Sequence, residues 1–274
     1  MRLQMRHFGF SGWMWAVIVA SSVAAPPARA TSMETLHEPW KRIVEKRVTT
    51  SGSVSQVDYK RIKAEPAELD FYLKSLSAVS KEEFNLLPQG DQLAFLINAY
   101  NAYTVKLVAD NYPVSSIKKI GGLFGSPWKI EFFSLLGEKR SLDKLEHGVI
   151  RKLFNEPRVH VALVCASKGC PALRAYSASK LESELEDATQ TFLRDSQRNR
   201  FDPKEMKLHL GKIFDWYQED FVKKAGSLKA FIAPRMSPEP EVRKKIEDPK
   251  TEVEFLDYDW SLNDKARIFE TNAS

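Results

Sequence analysis

Residues 158–174 read R-V-H-V-A-L-V-C-A-S-K-G-C-P-A-L-R and contain the only two cysteines of the chain, Cys165 and Cys170. The apolar run 159–164 is short and rich in β-branched residues, which predicts a buried strand that ends at Cys165. Pro171 suits the first position of a helix, so Cys170 is expected to cap a helical turn. A strand, a tight loop and a helix start would together present a reactive group at one of the thiols.

The segment 91–108 is apolar nearly all round, which predicts a central buried helix. Asn98 and Asn101 interrupt it three positions apart and therefore share one face, where buried amides need hydrogen-bond partners. Two interpretations stay open. The amides either satisfy backbone groups of neighbouring loops, or they line a pocket and orient a ligand or a catalytic side chain.

A helix is also predicted over residues 142–154, and it contains the neighbours Glu146 and His147. Adjacent helical residues point in different directions, whereas His147 and Arg151 are four apart and lie on one face. A metal-binding helix would offer a second His at this spacing, so we predict no metal here. With a reference pKa of about 6.5, His147 is a candidate for proton transfer, and a structural histidine is the alternative.

The cysteine pair admits several chemistries. An exported protein with two cysteines five positions apart can hold them as a static disulfide. Alternatively, Cys170 is a nucleophile whose thiolate is favoured by helix amides and by Lys168. In a third interpretation Cys165 is the nucleophile and Cys170 resolves it in a redox cycle.

The base that would serve such a nucleophile is predicted from side-chain direction. In a regular strand His160 faces away from Cys165, which disfavours it as a direct base. His147 arrives from a separate helix and is the base we favour, with Glu146 or Asp259 as its orienting carboxylate.

The rest of the chain mixes helices and short strands without a regular βαβ period, which predicts an α+β single domain with the central helix packed on a small mixed or antiparallel sheet. Ser80 with Glu83, and Ser179 with Glu182, have the spacing of capping boxes. Further expected features are helices over 36–46, 69–76 and 213–222, a loop over 49–55, a hairpin around Gly137, and strands over 206–210 and 253–258.

The N-terminus has the pattern of a secretory signal peptide. Arg2 and Arg6 precede an apolar stretch, 8–25, and A-R-A at 28–30 has the small-x-small form of a cleavage site. A retained membrane anchor is the alternative, and interrupting glycines and prolines count against it. The predicted organisation is a leader over 1–30, an N-terminal extension over 31–68, a domain over 69–265 and a tail over 266–274, in the periplasm or outside the cell.

The positive charge of the chain is concentrated in this leader. The formal net charge is +5, and the leader carries three arginines and no acidic residue, so the mature chain would carry +2. Nucleic-acid binding needs a concentrated basic face, and so small a surplus argues against it. No stable membrane span is expected after cleavage.

Five motifs resemble those of one family. R-V-H at 158–160 with C-A-S-K-G-C-P at 165–171 is similar to the core motif of the family catalogued as domain of unknown function 547 (DUF547). Val161 departs from it, since Phe is expected there in many members, and this changes packing while the polar positions stay intact. The family name carries no activity, so the resemblance implies a fold and candidate residues. The other four motifs, which bring the resemblance to about 92–263, are F-L-I-N-A-Y-N-A at 95–102, L-E-H-G-V-I-R at 145–151, I-F-D-W-Y-Q-E-D-F at 213–221 and F-L-D-Y-D-W-S-L-N at 255–263.

Three functions follow as hypotheses. We favour a thiol-dependent hydrolase or acyl transferase without a cofactor, acting on an unidentified small molecule or peptide. The alternatives are a thiol–disulfide redox protein and a non-catalytic binding or assembly domain with a structural disulfide. No phosphate-binding glycine loop, H-E-x-x-H or G-x-S-x-G motif is present. The predicted catalytic residues are Cys165, Cys170 and His147, and the predicted binding or orienting residues are Asn98, Asn101, Glu146, His160, Asp259 and Trp260.

Overall fold

Helices make up most of the residues 32–122 and 125–265, which the computed structural model describes. Some are short 3-10 or π-helical turns, and the α-helices are α1 (Met33–Arg47), α2 (Tyr59–Ala64), α3 (Ala67–Ser77), α4 (Lys81–Asn85), α5 (Gln89–Asp110), α6 (Leu142–Leu145), α7 (Arg151–Leu153), α8 (Leu181–Leu193), α9 (Ile213–Trp216), α10 (Gln218–Ala225), α11 (Leu228–Met236) and α12 (Pro240–Glu247). The strands are β1 (Val48–Ser51), β2 (Val54–Val57), β3 (Phe133–Leu135), β4 (Glu138–Arg140), β5 (Arg200–Asp202), β6 (Lys207–Leu210) and β7 (Glu252–Phe255).

The long helix α5 is the centre of the fold, which confirms the helix predicted over 91–108. Its apolar residues are buried on every side because α1, α2, α3 and α6 all contact it. Tyr103 of α5 stacks on Phe133 of β3, with 3.8 Å between ring centroids, so a small sheet packs on the helix as well. Each fully buried Leu or Phe side chain contributes about 2 kcal/mol to folding.

The predicted extension 31–68 contributes to the same core. Trp40 of α1 and Tyr59 of α2 are fully buried in the cluster of side chains around α5. Residues 49–55, expected to be a loop, instead form the antiparallel hairpin β1–β2, in which Val48 lies opposite Val57. The β-branched Thr49 and Thr50 favour this extended pairing.

The other strands confirm the α+β class. The hairpin predicted around Gly137 is β3–β4, whose turn residues Leu136 and Gly137 both have positive φ, as a tight two-residue hairpin turn requires. Strand β6 pairs antiparallel with β5 and parallel with β7, so the third sheet is mixed. The helix predicted over 213–222 is present as α9 and α10, with Gly226 at the end of α10.

The strand predicted over 159–164 is wrong. Residues Pro157–Val161 form a 3-10 turn, and the N–H groups of Ala162 and Leu163 donate to the carbonyl oxygen of Val159 at 2.9 and 2.8 Å. The run is apolar because the loop is buried, and neither its burial nor its composition distinguishes a buried loop from a buried strand.

The predicted helix start at Pro171 is also wrong, because residues 171–177 are irregular. Their backbone is held from outside: Leu173 N–H donates to Ser55 Oγ at 2.9 Å, and Tyr176 N–H donates to Asn98 Oδ1 at 2.9 Å. Cys170 is therefore not a helix cap, and its thiol gains nothing from a helix dipole.

The two expected capping boxes have different outcomes. Ser80 and Glu83 form theirs at the start of α4, with reciprocal hydrogen bonds of 3.1 and 2.8 Å. Ser179 and Glu182 do not, because α8 begins at Leu181 without a side-chain cap and Glu182 instead accepts hydrogen bonds from Arg158.

The predicted leader over 1–30 and tail over 266–274 lie outside the described residues. Across 32–122 and 125–265, no helix combines the length and the apolar character that a membrane crossing requires.

Candidate functional site

A cavity of about 260 Å³ lies where α6, α9 and the segment that follows β7 meet the cysteine loop. It contains six of the nine predicted site residues and excludes Asn98, Asn101 and Asp259. Its lining residues are Tyr100, Ser126, Trp128, Asp143, Glu146, His147, His160, Leu163, Val164, Cys165, Cys170, Ile213, Trp216, Tyr217, Tyr258 and Trp260.

The two thiols are in direct contact inside this cavity. The Sγ atoms of Cys165 and Cys170 are 2.8 Å apart, and both cysteines are free rather than disulfide-bonded. Cys170 is buried, whereas Cys165 is partly exposed. Cys165 is therefore the more accessible of the two cysteines.

One member of the pair is stabilised as a thiolate. Cys170 Sγ accepts the backbone N–H of Cys165 at 2.9 Å and lies 3.1 Å from Tyr258 Oη and 3.3 Å from Ser167 Oγ. Burial raises the pKa of the Cys170 thiol, but hydrogen bonds from Cys165, Ser167 and Tyr258 outweigh it and lower the pKa to about 6. Burial and the neighbouring Cys170 raise the pKa of Cys165 well above its ordinary value.

The loop between the cysteines is fixed by the closing segment of the domain. Gly169 N–H donates to the Asp259 carbonyl oxygen at 2.9 Å, and Lys168 N–H donates to the Ser261 carbonyl oxygen at 2.8 Å. A Cβ on Gly169 would stand 2.8 Å from the ring of Tyr258, so only glycine lets this ring take the position from which its hydroxyl contacts both sulfurs. Ala166 has a φ of 56°, a conformation that costs a non-glycine residue free energy.

Asp259 does not orient His147 in the structure. Its carboxylate accepts the N–H of Ser261 at 2.8 Å and so stabilises its own turn. Trp260 does reach the cavity wall, where its ring meets that of Trp128 edge-on at 5.7 Å.

Two histidines belong to a chain of hydrogen-bonded side chains that also includes Arg151 and Asp220. His160 Nε2 bonds Asp220 Oδ2 at 2.7 Å, and Arg151 donates to both oxygens of the same carboxylate at 2.7 and 2.9 Å. His147 Nδ1 lies 3.1 Å from Arg151 Nη1, as their four-residue spacing predicts. Within the described residues neither imidazole hydrogen-bonds a cysteine, so the predicted pairing of His147 with a thiol is not formed.

Burial lowers the pKa of His160, against the raising effect of Asp220, and keeps this imidazole neutral near pH 7. The hydrogen bonds from His160 and Arg151 in turn hold the pKa of Asp220 far below its ordinary value. Asp220 was not among the predicted site residues, and its signal in the sequence is its place in the motif at 213–221. Tyr258 was missed in the same way within 255–263.

Glu146 is buried at a π-helical turn, Glu146–Ile150, which interrupts the helix predicted over 142–154. Such turns are frequent at functional sites. Burial and the nearby Glu146 carboxylate raise the pKa of the hydroxyls of Tyr100 and Tyr217. Tyr217 also stacks on His160, with 3.6 Å between ring centroids.

Asn98 and Asn101 behave as the first of their two interpretations expects. Asn101 Oδ1 accepts Val164 N–H at 3.0 Å and its Nδ2 donates to the Ala162 carbonyl oxygen at 2.9 Å. Asn98 pairs in the same way with both backbone groups of Tyr176. These amides hold the loops on either side of the cysteine pair, and a role in orienting a ligand stays a prediction.

No group of three or more His, Cys, Asp or Glu side chains with the arrangement of a metal site occurs within 32–122 and 125–265.

The fold and the cavity define an α+β domain built around a contacting cysteine pair. Residues 84–193 match the family model described as "Protein of unknown function, DUF547". This match supports the resemblance to the DUF547 family that the motifs predict. The motifs at 213–221 and 255–263 lie beyond the matched residues. Neither the curated proteins nor the solved structures include a match to the chain.

Replacing Tyr258 by phenylalanine is expected to raise the pKa of Cys170 from about 6 by roughly one pH unit, because a hydrogen bond to a charged group is lost. Thiolate forms as pH rises through the pKa, so at pH 6–7 the variant would hold less thiolate than the wild type. A pH titration of ultraviolet thiolate absorbance measures this.

The matched control is Tyr176→Phe. That hydroxyl is buried and has no hydrogen-bond partner among the described residues, so its removal should leave the titration unchanged. Identical curves for Tyr258→Phe and the wild type would show that Tyr258 does not stabilise the thiolate.

Proposed function

We propose that this protein catalyses thiol–disulfide exchange through Cys165 and Cys170. The observation that supports this best is the 2.8 Å contact between the two Sγ atoms on the wall of a ligand-sized cavity. A disulfide bond is about 2.05 Å long, so the pair can close with a small movement. Exchange also needs no imidazole base, which agrees with the hydrogen bonds of His147 and His160 to other groups.

The accessible sulfur, Cys165, is the attacking group. Its proton passes to Cys170 across the 2.8 Å contact, and Tyr258 Oη, 2.9 Å from Cys165 Sγ, supports the resulting thiolate. The Cys165 thiolate attacks a partner disulfide, forming a mixed disulfide and releasing one partner thiolate.

Cys170, deprotonated again, attacks Cys165 Sγ and releases the second partner sulfur. The partner disulfide gains two electrons and becomes two thiols with the proton that Cys165 carried and a second proton from solvent, while the pair loses two electrons as its disulfide forms. The reverse reaction oxidises a partner dithiol.

The thiol-dependent hydrolase or acyl transferase favoured from sequence is the second candidate. The observation in its favour is the His160–Asp220 pair, a base with an orienting carboxylate, in the same cavity as Cys165. For this function His160 Nδ1 would accept the Cys165 proton and the thiolate would attack an acyl carbon. The bond from that carbon to an alcohol or amine would break, the leaving group would take the proton, and a thioester would remain at Cys165. Oxidation of the pair would then abolish turnover rather than accompany it.

We also propose that the protein is exported through the leader at 1–30, into the periplasm or outside the cell. An oxidising compartment would keep the pair at least partly as a disulfide. N-terminal sequencing of protein from the exported fraction tests this, with Thr31 expected as the first residue. An intact Met1 in that fraction would contradict cleavage.

The function is tested by equilibrating the protein with mixtures of reduced and oxidised glutathione and counting free thiols by intact mass. We expect reversible closure of the pair at a potential between about −270 and −120 mV, the range of exchange proteins. A potential below about −300 mV would instead indicate a structural disulfide and the binding-domain alternative. A pair that never oxidises, with rapid labelling of Cys165 by an acyl probe, would favour the hydrolase.

A further inference from the structure

Two hydrogen-bond acceptors face each other in the cavity without a donor between them. The buried carboxylate of Glu146 places Oε1 3.9 Å from Nδ1 of His160, too far for a hydrogen bond. His160 is 3% exposed, and its Nδ1 has no hydrogen-bond partner among the described residues. A buried polar atom left in this way costs free energy until a ligand or water pairs with it.

The proton on His160 can be placed from its other nitrogen. Nε2 lies 2.7 Å from Asp220 Oδ2, and a carboxylate can only accept, so Nε2 carries the hydrogen. In the neutral ring Nδ1 is then a lone-pair acceptor. The carboxylate of Glu146 can likewise only accept. A group that satisfies both atoms must bring at least two N–H or O–H donors.

The charges around the cavity favour a cation as that group. Asp143, Glu146 and the cysteine thiolate line it. Among the nearby cations, Arg151 is taken up by the Asp220 carboxylate. Lys118 Nζ stands at the rim, 3.7 Å from the centre of the Trp260 ring, and so already occupies that aromatic face. An incoming cation is therefore directed inward, to Glu146.

The walls suit a short hydrocarbon chain attached to the cation. Trp128, Trp216 and Tyr217 provide aromatic surface, and rings of this kind attract cations as well as alkyl groups. A volume of about 260 Å³ is small for a binding pocket and fits a ligand of side-chain size.

We propose that the cavity binds a primary alkylammonium group, whose N–H donors bridge Glu146 and His160 Nδ1 beside the cysteine pair. This proposal identifies the substrate class only if the protein has the exchange function proposed above. The exchange partner would then present an amine next to its disulfide or thiols. The amine can belong to a free small molecule or to a lysine side chain.

Calorimetric titration of the reduced full chain tests the proposal with n-butylammonium and with Nα-acetyl-lysine methylamide as probes. Tetramethylammonium, a cation without N–H donors, should bind at least about tenfold more weakly than n-butylammonium, because hydrogen bonds to charged groups are lost. Tighter binding of the lysine derivative would identify a peptide source, and tighter binding of n-butylammonium a free amine. No binding of either probe, or equal binding of tetramethylammonium, would overturn the proposal and leave water between the acceptors.

Glu146→Gln should weaken n-butylammonium binding by about tenfold or more, since it removes the charge and keeps the size. Glu241→Gln is the control, because Glu241 lies on α12 and pairs only with Lys244 among the described residues. If Glu146→Gln fails to fold, the comparison of n-butylammonium with tetramethylammonium on the wild type still tests the proposed amine site. If n-butylammonium binds but the cysteine pair does not exchange, only the proposed exchange function is excluded. If the pair exchanges but neither amine probe binds, only the proposed amine site is excluded.

Discussion

Replacing Cys170 by serine is expected to trap the protein as a stable mixed disulfide at Cys165. The partly exposed Cys165 can still attack oxidised glutathione, but the sulfur 2.8 Å away that would release the adduct is gone. Intact-mass analysis after incubation should show nearly stoichiometric addition of one glutathione. The wild type should instead show the mass loss of two hydrogen atoms that disulfide formation causes, with almost no glutathione adduct.

Cys165→Ser serves as the partner experiment. It leaves only Cys170, the more deeply buried of the two cysteines, so glutathione addition should be at least about tenfold slower than in Cys170→Ser. Equal rates of addition in the two variants, or no addition in either, would exclude the assignment of Cys165 as the attacking sulfur. Far-UV circular dichroism would establish that both variants fold.

Asn101→Ala is expected to lower the free energy of unfolding by about 3 kcal/mol. The truncation leaves the N–H of Val164 and the carbonyl oxygen of Ala162 buried without partners, and each such group costs about 1–3 kcal/mol. Urea unfolding followed by tryptophan fluorescence measures the change. A loss below about 1 kcal/mol would mean that water or a shifted loop replaces the amide.

Asn98→Ala is the matched control for this variant. It removes an equivalent pair of hydrogen bonds, at Tyr176, and should destabilise the fold by a similar amount. Only Asn101→Ala acts on the backbone directly before Cys165, so only it should also change the thiolate titration. The same titration change in both variants would indicate a general loosening of the domain rather than a local role for Asn101.

The candidate site shows where prediction from sequence succeeded and failed. Cys165, Cys170, Glu146, His147 and His160 line one cavity, as expected of a common site. The hydrogen-bond partners predicted for these side chains were wrong. The predicted strand would have turned His160 away from Cys165, whereas the 3-10 turn lets both reach the cavity without bonding each other.

The sequence by itself determined the elements whose signals are local. A helix that is apolar all round must be buried, so α5 was predictable, as were the Ser80–Glu83 capping box and the hairpin at Gly137. The five motifs determined the DUF547 resemblance in the same way, because motif recognition needs only residue order.

Only the tertiary structure decided what surrounds the sulfurs. Tyr258 lies 93 positions from Cys165, and Asp220 lies 60 positions from His160. No propensity or period connects residues so far apart. Their meeting follows from the packing of the closing segment against Gly169 and of α10 against the 3-10 turn. The thiolate, the neutral imidazole and the unpaired Nδ1 of His160 all arise from burial and from these long-range contacts, which are properties of the folded chain.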